Sequence, residues 1–228
     1  MISLPNIGFR VLDMKNRPPQ QLVEQFRDVV TPHVSDNLNR MEAVSAALRP
    51  YHSGGKLLGV ALTVKTRPGD NLMVHKAIDM AEPGDVIVVD AGGDLTNAIV
   101  GEIMLRLAEK RGITGFVIDG AIRDTAAFAD GVFPVYARGI THRGPYKDGP
   151  GEVNVPVSVG GMIVRPGDIM LGDEDGLVAI PAAEAEALLK VVREQQIREK
   201  SIMDSIADGT VDRSWIDKTL KEKGCEFG

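Results

Sequence analysis

The sequence carries one cysteine in 228 residues, Cys225 close to the C-terminus. An intrachain disulfide is therefore excluded, which suits a reducing compartment such as the cytoplasm. Basic charge is not in excess: 26 Lys and Arg against 32 Asp and Glu leave a net charge of −6. That sign argues against a nucleic-acid partner, which rewards a basic face. Long hydrophobic runs are missing too. No segment approaches membrane-spanning length, and the opening "MISLPNIGFRVLDMKNRPP" lacks the long apolar core of a targeting signal. The expectation is a soluble, cytoplasmic protein with no membrane partner. The four histidines, His33, His52, His75 and His142, show no zinc-ligand spacing. No G-x-G-x-x-G or Walker pattern is present, and no solenoid period or linker divides the chain.

What remains is an ordinary apolar content of 43%, enough for one full α/β core. "RPPQQLVEQFRDVVTPHVSDNLNRM" predicts two short helices broken near Thr31 and Pro32, within an N-terminal helical region of about 18–48. "KLLGVALTVKT", "PGDVIVVDAGGD", "GFVID" (115–119) and "FPVYARG" predict strands. Between them "NLMVHKAIDMA", "GEIMLRLAEKRG" (101–112) and "DTAAFADG" predict helices, the second stopped by Gly112. After a glycine-rich loop at 139–152 the pattern changes to short strands without helices. C-terminal helices then cover about 182–223. Pro-Gly-Asp recurs at 68–70, 83–85 and 166–168, each time beside a β-rich segment, as a tight turn with glycine at positive φ would. The expected architecture is one α/β domain over residues 1–228, with two β layers and a helical layer.

The charged residues concentrate interest at two places. Gly101 and Glu102 open a helix, whose free N–H groups and partial positive charge suit a carboxylate. Twenty residues later, "VIDGAIRD" (117–124) ends a strand on adjacent Arg123 and Asp124. One helix, one turn and one strand lie between, so a β–loop–α–β unit can return both ends to a single cleft. Arg123 offers an always-charged fork for a carboxylate or oxyanion. Asp124 offers a hard oxygen ligand, and Glu102 a proton carrier. Read alone, each charge is more often a helix-dipole partner or a solvated loop residue, and only their joint spacing brings the functional reading level with that one.

"GE", twenty residues and "RD" inside "VIDGAIRD" resemble the RraA-like family, whose members include 4-hydroxy-4-methyl-2-oxoglutarate/4-carboxy-4-hydroxy-2-oxoadipate aldolases. "HVSDNLNRM", "RPGDNLMVHKAI" and "GGMIVRPGDIMLGDEDGLVAIP" extend the likeness over nearly the whole chain. The family's usual motif is Asp, twenty residues, Arg-Asp. Here Glu102 stands in place of that Asp, which keeps the acid and lengthens its reach. The resemblance implies a three-layer swivelling β/β/α fold, a homotrimer or homohexamer, and a divalent metal near Asp124, Mg²⁺ foremost with Mn²⁺ as the alternative. It also implies that Gly101, Ile103, Met104 and Arg123 bind the pyruvyl part of a 2-oxo acid, through Arg123 and the main-chain amides. A C-terminal glutamate, here Glu199, is implied to enter the neighbouring subunit's active site. On its own helix Glu199 falls on the apolar stripe of Leu188, Leu189, Val192, Ile202 and Ile206, which is equally the place of an edge residue. Some members are labelled menaquinone methyltransferases, but no glycine-rich nucleotide loop supports that chemistry here.

The implied activity is metal-dependent cleavage of a 4-hydroxy-2-oxo acid to pyruvate and a second oxo acid, with oxaloacetate decarboxylation as a side activity. The retro-aldol step needs an electron sink at the 2-oxo group, a base for the 4-hydroxyl and an acid for the pyruvate enolate. A Schiff-base lysine is the rival sink, with Lys65 its candidate, although nothing near it in sequence would lower its pKa. His75 is expected to pack near the site. Arg143 and Lys147 in "THRGPYKDGPG" either meet distal carboxylates of the substrate or form a solvated basic loop. The second class of function is a non-catalytic regulator of ribonuclease activity, which the same family contains.

Overall fold

The structure, a computed structural model, describes residues 6–228. In chain order, β1 (Phe9–Val11) precedes α1 (Gln20–Glu24) and α2 (Thr31–Asn37). Then come β2 (Arg49–Pro50), β3 (Leu57–Thr66), α3 (Leu72–Met80), β4 (Asp85–Asp90) and β5 (Ala98–Val100). The middle of the chain holds α4 (Glu102–Lys110), β6 (Gly115–Ile122), α5 (Thr125–Ala129) and β7 (Val135–Ile140). The short strands are β8 (Gly151–Val153), β9 (Val157–Val159), β10 (Met162–Val164), β11 (Ile169–Asp173) and β12 (Gly176–Ile180). Helices α6 (Ala185–Ala207) and α7 (Trp215–Glu222) close it.

Strands β3, β4, β6 and β7 run parallel side by side. β3, β4 and β6 are buried on both faces almost throughout, so they read as continuous apolar segments rather than alternating ones. Successive side chains still part to opposite faces. In β3, Leu62 and Val64 join the core under α3, α4 and α5, with Met73, Val74, Leu105 and Phe128. Leu57 and Ala61 join the opposite core, built with Val157, Met162, Met170 and Ala179 of the second β layer. The order helices, sheet, second β layer is the expected β/β/α stack. Leu58 and Val60 belong to a third core, in which α1, α2 and α6 cover β11 and β12. Helices α1, α2 and α6 are thus part of the same domain, whereas α7 buries no residue.

The N-terminal helical region is shorter than expected. Helical structure ends at Asn37, and residues 38–48 are turns and irregular chain. The break falls between Glu24 and Thr31, with Pro32 inside the first turn of α2, where its missing N–H costs nothing. All three Pro-Gly-Asp segments are turns with positive glycine φ, +74° at Gly69, +94° at Gly84 and +92° at Gly167. Each turn sends its aspartate inward, so that Asp70, Asp85 and Asp168 are all buried. The backbone N–H of Glu82 donates to Asp85 at 2.9 Å, and that of Arg165 to Asp168 at 2.8 Å.

Candidate active site

The loop after β4 does more than turn. It contains β5, which pairs in parallel with the end of β6, Ala98 beside Ala121 and Val100 beside Ile122. Strand β6 runs three residues beyond the expected 115–119 to allow this, with a register irregularity between Ile118 and Ala121. The pairing brings the two charged motifs together. Arg123 N–H donates to Val100 O at 3.0 Å, directly before Gly101 and α4.

Asp124 then turns back over the start of α4. Its backbone is left-handed, φ +56° and ψ 40°, an uncommon state for a residue with a side chain. In that state Asp124 Oδ2 accepts the Glu102 N–H at 3.0 Å and lies 3.6 Å from Arg123 Nε. The carboxylate therefore fills one of the orphan donors at the helix start. Gly101 makes room for it: a Cβ there would stand 2.4 Å from Asp124 Oδ2. Met104 N–H turns back to Gly101 O at 3.1 Å. Ile103 N–H has no acceptor among the described residues, so of the two amides expected to bind substrate it is the free one.

The opposite wall is the loop 144–149 and the first turn of α3. Buried Asp70 joins them: it accepts N–H groups from Leu72 (3.0 Å), Asp148 (2.8 Å) and Gly149 (2.9 Å). Tyr146 N–H donates to Gly69 O, and Asn71 N–H to Tyr146 O. Between the walls lies a cleft of about 200 Å³, lined by Arg123, Asp124, Lys147, His75 and Asn71 together with Gly101, Ile103 and Met104. Burial, and then the Lys147 ammonium, hold the His75 imidazole below its usual pKa, so it is neutral at neutral pH. Two cations and a helix N-terminus facing one small hollow can hold a compact carboxylate.

The expected site residues do not all meet there. Gly101, Ile103, Met104, Arg123 and Asp124 line the cleft, but Glu102 and Glu199 do not. The Glu102 carboxylate lies along α4 against Arg106 at 3.2 Å, an exposed i,i+4 pair. Glu199 lies on α6, where Gln195 donates to it at 2.7 Å and His33 Nε2 stands 2.6 Å away. Those two contacts, Gln195 first, hold its carboxyl below the usual pKa. Lys65 is exposed on β3 and Arg143 on its loop, both outside the cleft. Asn71, Gly144 and Pro145 line the cleft and were missed from sequence, where "RPGDN" read only as a turn.

Among the described residues no three His, Cys, Asp or Glu side chains are grouped to hold a metal ion. The described residues of one chain therefore group no cage of such side chains. This fits a cation that takes one carboxylate and completes its shell with water and substrate oxygens, the habit of Mg²⁺. Asp124 is the carboxylate available, since its Oδ1 accepts no hydrogen bond among the described residues.

Comparison with known proteins gives this geometry a context. The model of the family described as RraA-like, Aldolase/RraA, matches residues 31–179. The chain belongs to the RraA-like family. A Halalkalibacterium halodurans protein provisionally named 4-hydroxy-4-methyl-2-oxoglutarate aldolase is 40% identical over 199 residues, covering 87% of this chain and 95% of that protein. The 4-hydroxy-4-methyl-2-oxoglutarate aldolase of Thermus thermophilus is 34% identical, over 66% of this chain and 92% of the relative. Among solved structures, Streptomyces coelicolor RraAS2, described as an unusual member of the RNase ES inhibitor RraA family, superimposes with a TM-score of 0.75. It is 26% identical, over 82% of this chain and 97% of that one.

The segment matched by the RraA-like model contains every residue of the cleft and stops short of α6, and so of Glu199. A larger hollow of about 660 Å³ lies elsewhere, between Arg17, Leu22, Arg165 and Glu186, and shares no residue with the cleft. The smaller cleft is the better candidate in this RraA-like chain, because cations, a helix N-terminus and a free carboxylate oxygen converge on it.

Proposed function

We propose that this RraA-like protein is a lyase of the class II aldolase type, cleaving a 4-hydroxy-2-oxo di- or tricarboxylic acid to pyruvate and a second oxo acid. The observation that carries the reading is the convergence of Arg123, Lys147, the free Ile103 N–H and Asp124 on one cleft. The names of the relatives support the same reaction class.

In this reading the substrate carboxylate lies against the start of α4, where Ile103 N–H and the helix dipole favour negative charge. Asp124 would hold a divalent cation, Mg²⁺ foremost or Mn²⁺, which when bound would supply Lewis acidity at the substrate's 2-oxo group. Arg123 steadies the negative charge that develops on the enolate oxygen as the C3–C4 bond breaks, a task worth several kcal/mol of barrier in comparable sites. Glu102, by way of a water that supplies the proton, protonates C3, which requires its carboxylate to leave Arg106. Both partners of that pair are about half exposed, so the swing is cheap. Glu199, brought by a neighbouring copy in a trimer or hexamer, takes the proton of the 4-hydroxyl. Oxaloacetate decarboxylation is the natural side activity, since loss of CO₂ leaves the same pyruvate enolate.

A lactate-dehydrogenase-coupled assay for pyruvate, run over a panel of 2-oxo acids, tests the reading. Pyruvate release should vanish in excess chelator and return with Mg²⁺ or Mn²⁺, and Asp124→Asn should blunt that return without lowering the melting temperature. Full activity in chelator would revive a lysine mechanism.

A second reading rests on the RNase ES inhibitor description of the Streptomyces relative. As a regulator the chain would mask a ribonuclease and need no chemistry. Inhibition of a ribonuclease by a protein inactive on every 2-oxo acid would favour it.

A further inference from the structure

Strand β6 ends between two others. On one edge β5 leads into Gly101 and α4, and on the other edge β7 ends beside it. Ile122 lies opposite Ile140 in the parallel register, and Thr141 N–H donates to Ile122 O at 3.0 Å. The pairing carries Thr141 and His142 up beside Arg123 and Asp124, on the side away from the cleft. There a second hollow of about 470 Å³ opens, lined by Arg123 and Asp124 together with Thr125, Ile140, Thr141 and His142. Arg123 and Asp124 also line the cleft, so the two hollows meet at this pair. Their side chains are 40% and 44% exposed, so the ridge they form is open and a ligand can lie across it.

In the aldolase reading the cleft, of about 200 Å³, seats the pyruvyl part of the substrate. The fragment beyond C3 has no seat yet. It departs as the second oxo acid and ends in a carboxylate. The second hollow offers the matching groups. Thr141 Oγ1 accepts only a long contact from Arg143 N–H, at 3.4 Å, which leaves its own proton free to donate. The exposed His142 ring carries at least one N–H in every protonation state. Ile140 beside them is 57% exposed and can meet a methyl group. Among the described residues that line this hollow, Asp124 is the one acid.

We propose that the fragment beyond C3 crosses Arg123 and Asp124 into this second hollow, where Thr141 and His142 hold its terminal carboxylate and Ile140 meets a methyl group on C4. The inference rests on the aldolase reading above. Thr141 and His142 are specificity-determining residues in this account. They favour acids that extend to a carboxylate at C5 over oxaloacetate, whose chain ends at C4. Cleavage itself stays with the groups already described.

The test compares 4-hydroxy-4-methyl-2-oxoglutarate, or whichever 4-hydroxy-2-oxo acid with a C5 carboxylate is cleaved best, with oxaloacetate on one enzyme preparation. The quantity read is the ratio of their kcat/KM values, which is insensitive to the fraction of protein folded. Combining Thr141→Val with His142→Ala removes both donors. The ratio should fall by about 10-fold or more, because only the longer acid reaches those groups. His142→Gln keeps an N–H and should retain part of what His142→Ala loses. If the double variant does not fold, His142→Ala alone decides, since it trims an exposed ring. An unchanged ratio, with both activities kept or both lost together, would overturn the inference and leave the aldolase reading standing. So would a ratio that falls in Lys147→Ala but not in the double variant, which would put the carboxylate on the opposite wall of the cleft. A wild type that releases pyruvate from no such hydroxy acid overturns the aldolase reading, and this inference with it.

Discussion

Asp124 Oδ2 occupies the space that a side chain on Gly101 would need, with 2.4 Å between the oxygen and the position of a Cβ. The glycine is required by this contact, not by its backbone, which is extended at φ −152°. In Gly101→Ala the carboxylate is the part that can yield. It would leave the Glu102 N–H and the position from which it faces the cleft. We expect kcat/KM for pyruvate release to fall about 100-fold, as misplacement of a reacting group by an ångström can do. The melting temperature should drop by only about 3 °C, because one cap is lost and no core is disturbed. A variant with full activity would show that Asp124 need not stand where it does.

The same contact explains why the site was only partly legible in the sequence. Twenty residues between Glu102 and Arg123 sufficed to predict one helix and one strand returning to a common cleft. The apolar run of β6 was legible to Asp119 but not beyond, because Gly120 ends the β-branched pattern while pairing with β5 carries the strand on to Ile122. Three-residue strands such as β5 hold too few residues to show a period. The left-handed state of Asp124 leaves no mark in composition, since only tertiary contacts hold it. Asn71 was hidden for a different reason: it follows a Pro-Gly-Asp turn, and turn chemistry alone accounts for an asparagine there. On α6 the stripe was legible, yet only its first half, Ala185 to Val192, is buried, while Ile202, Met203 and Ile206 are exposed.

Glu102 tests whether an acid one methylene longer than the family's usual aspartate still works in proton transfer. Its carboxylate is paired with Arg106, so Arg106→Ala should release it while leaving the melting temperature nearly where it was. Glu102→Gln should leave pyruvate bound but slow the exchange of solvent deuterium into the pyruvate methyl group by about 100-fold, the usual scale of general acid–base catalysis. An exchange rate in Glu102→Gln equal to that of the wild type would remove Glu102 from the proton path.

Asp70 couples the cleft to pH. Its burial pushes the pKa up, but the N–H groups of Leu72, Asp148 and Gly149, helped by Arg67, outweigh that and hold it below the usual carboxylate value. A depressed folded pKa stabilises the protein above the unfolded pKa, about 4. That stability is lost as pH falls through the folded value. Denaturant melts of the wild type should therefore show stability declining below about pH 4. Asp70→Asn should remove that part of the decline and cost about 2 kcal/mol at pH 7, because the amide presents one acceptor oxygen where the carboxylate presented two. It should also loosen the loop that carries Lys147, seen as faster amide exchange at Asp148 and Gly149. An unchanged acid limb in the variant would exclude Asp70 as its source.

Glu199 belongs, in our reading, to a neighbour's cleft. Within its own chain it is held by Gln195 and His33, which fix the carboxylate but give it no access to Arg123 or Asp124. The second half of α6 around it exposes Ile197 at 71%, Met203 at 65% and Ile206 at 53%, apolar surface that a second copy could cover. A cyclic assembly would repeat one such heterologous contact at every interface. Arg123→Ala and Glu199→Ala should each be weak, yet activity should return when the two are dissociated together and reassembled. A working site then needs Arg123 from its own chain and Glu199 from the next, so random mixing should restore about a quarter of the sites. Subunit exchange is checked independently by the mass of the mixed oligomers. If mass shows mixed oligomers and activity does not return, Glu199 serves only the packing of its own chain against His33, and the neighbour's cleft is complete without it.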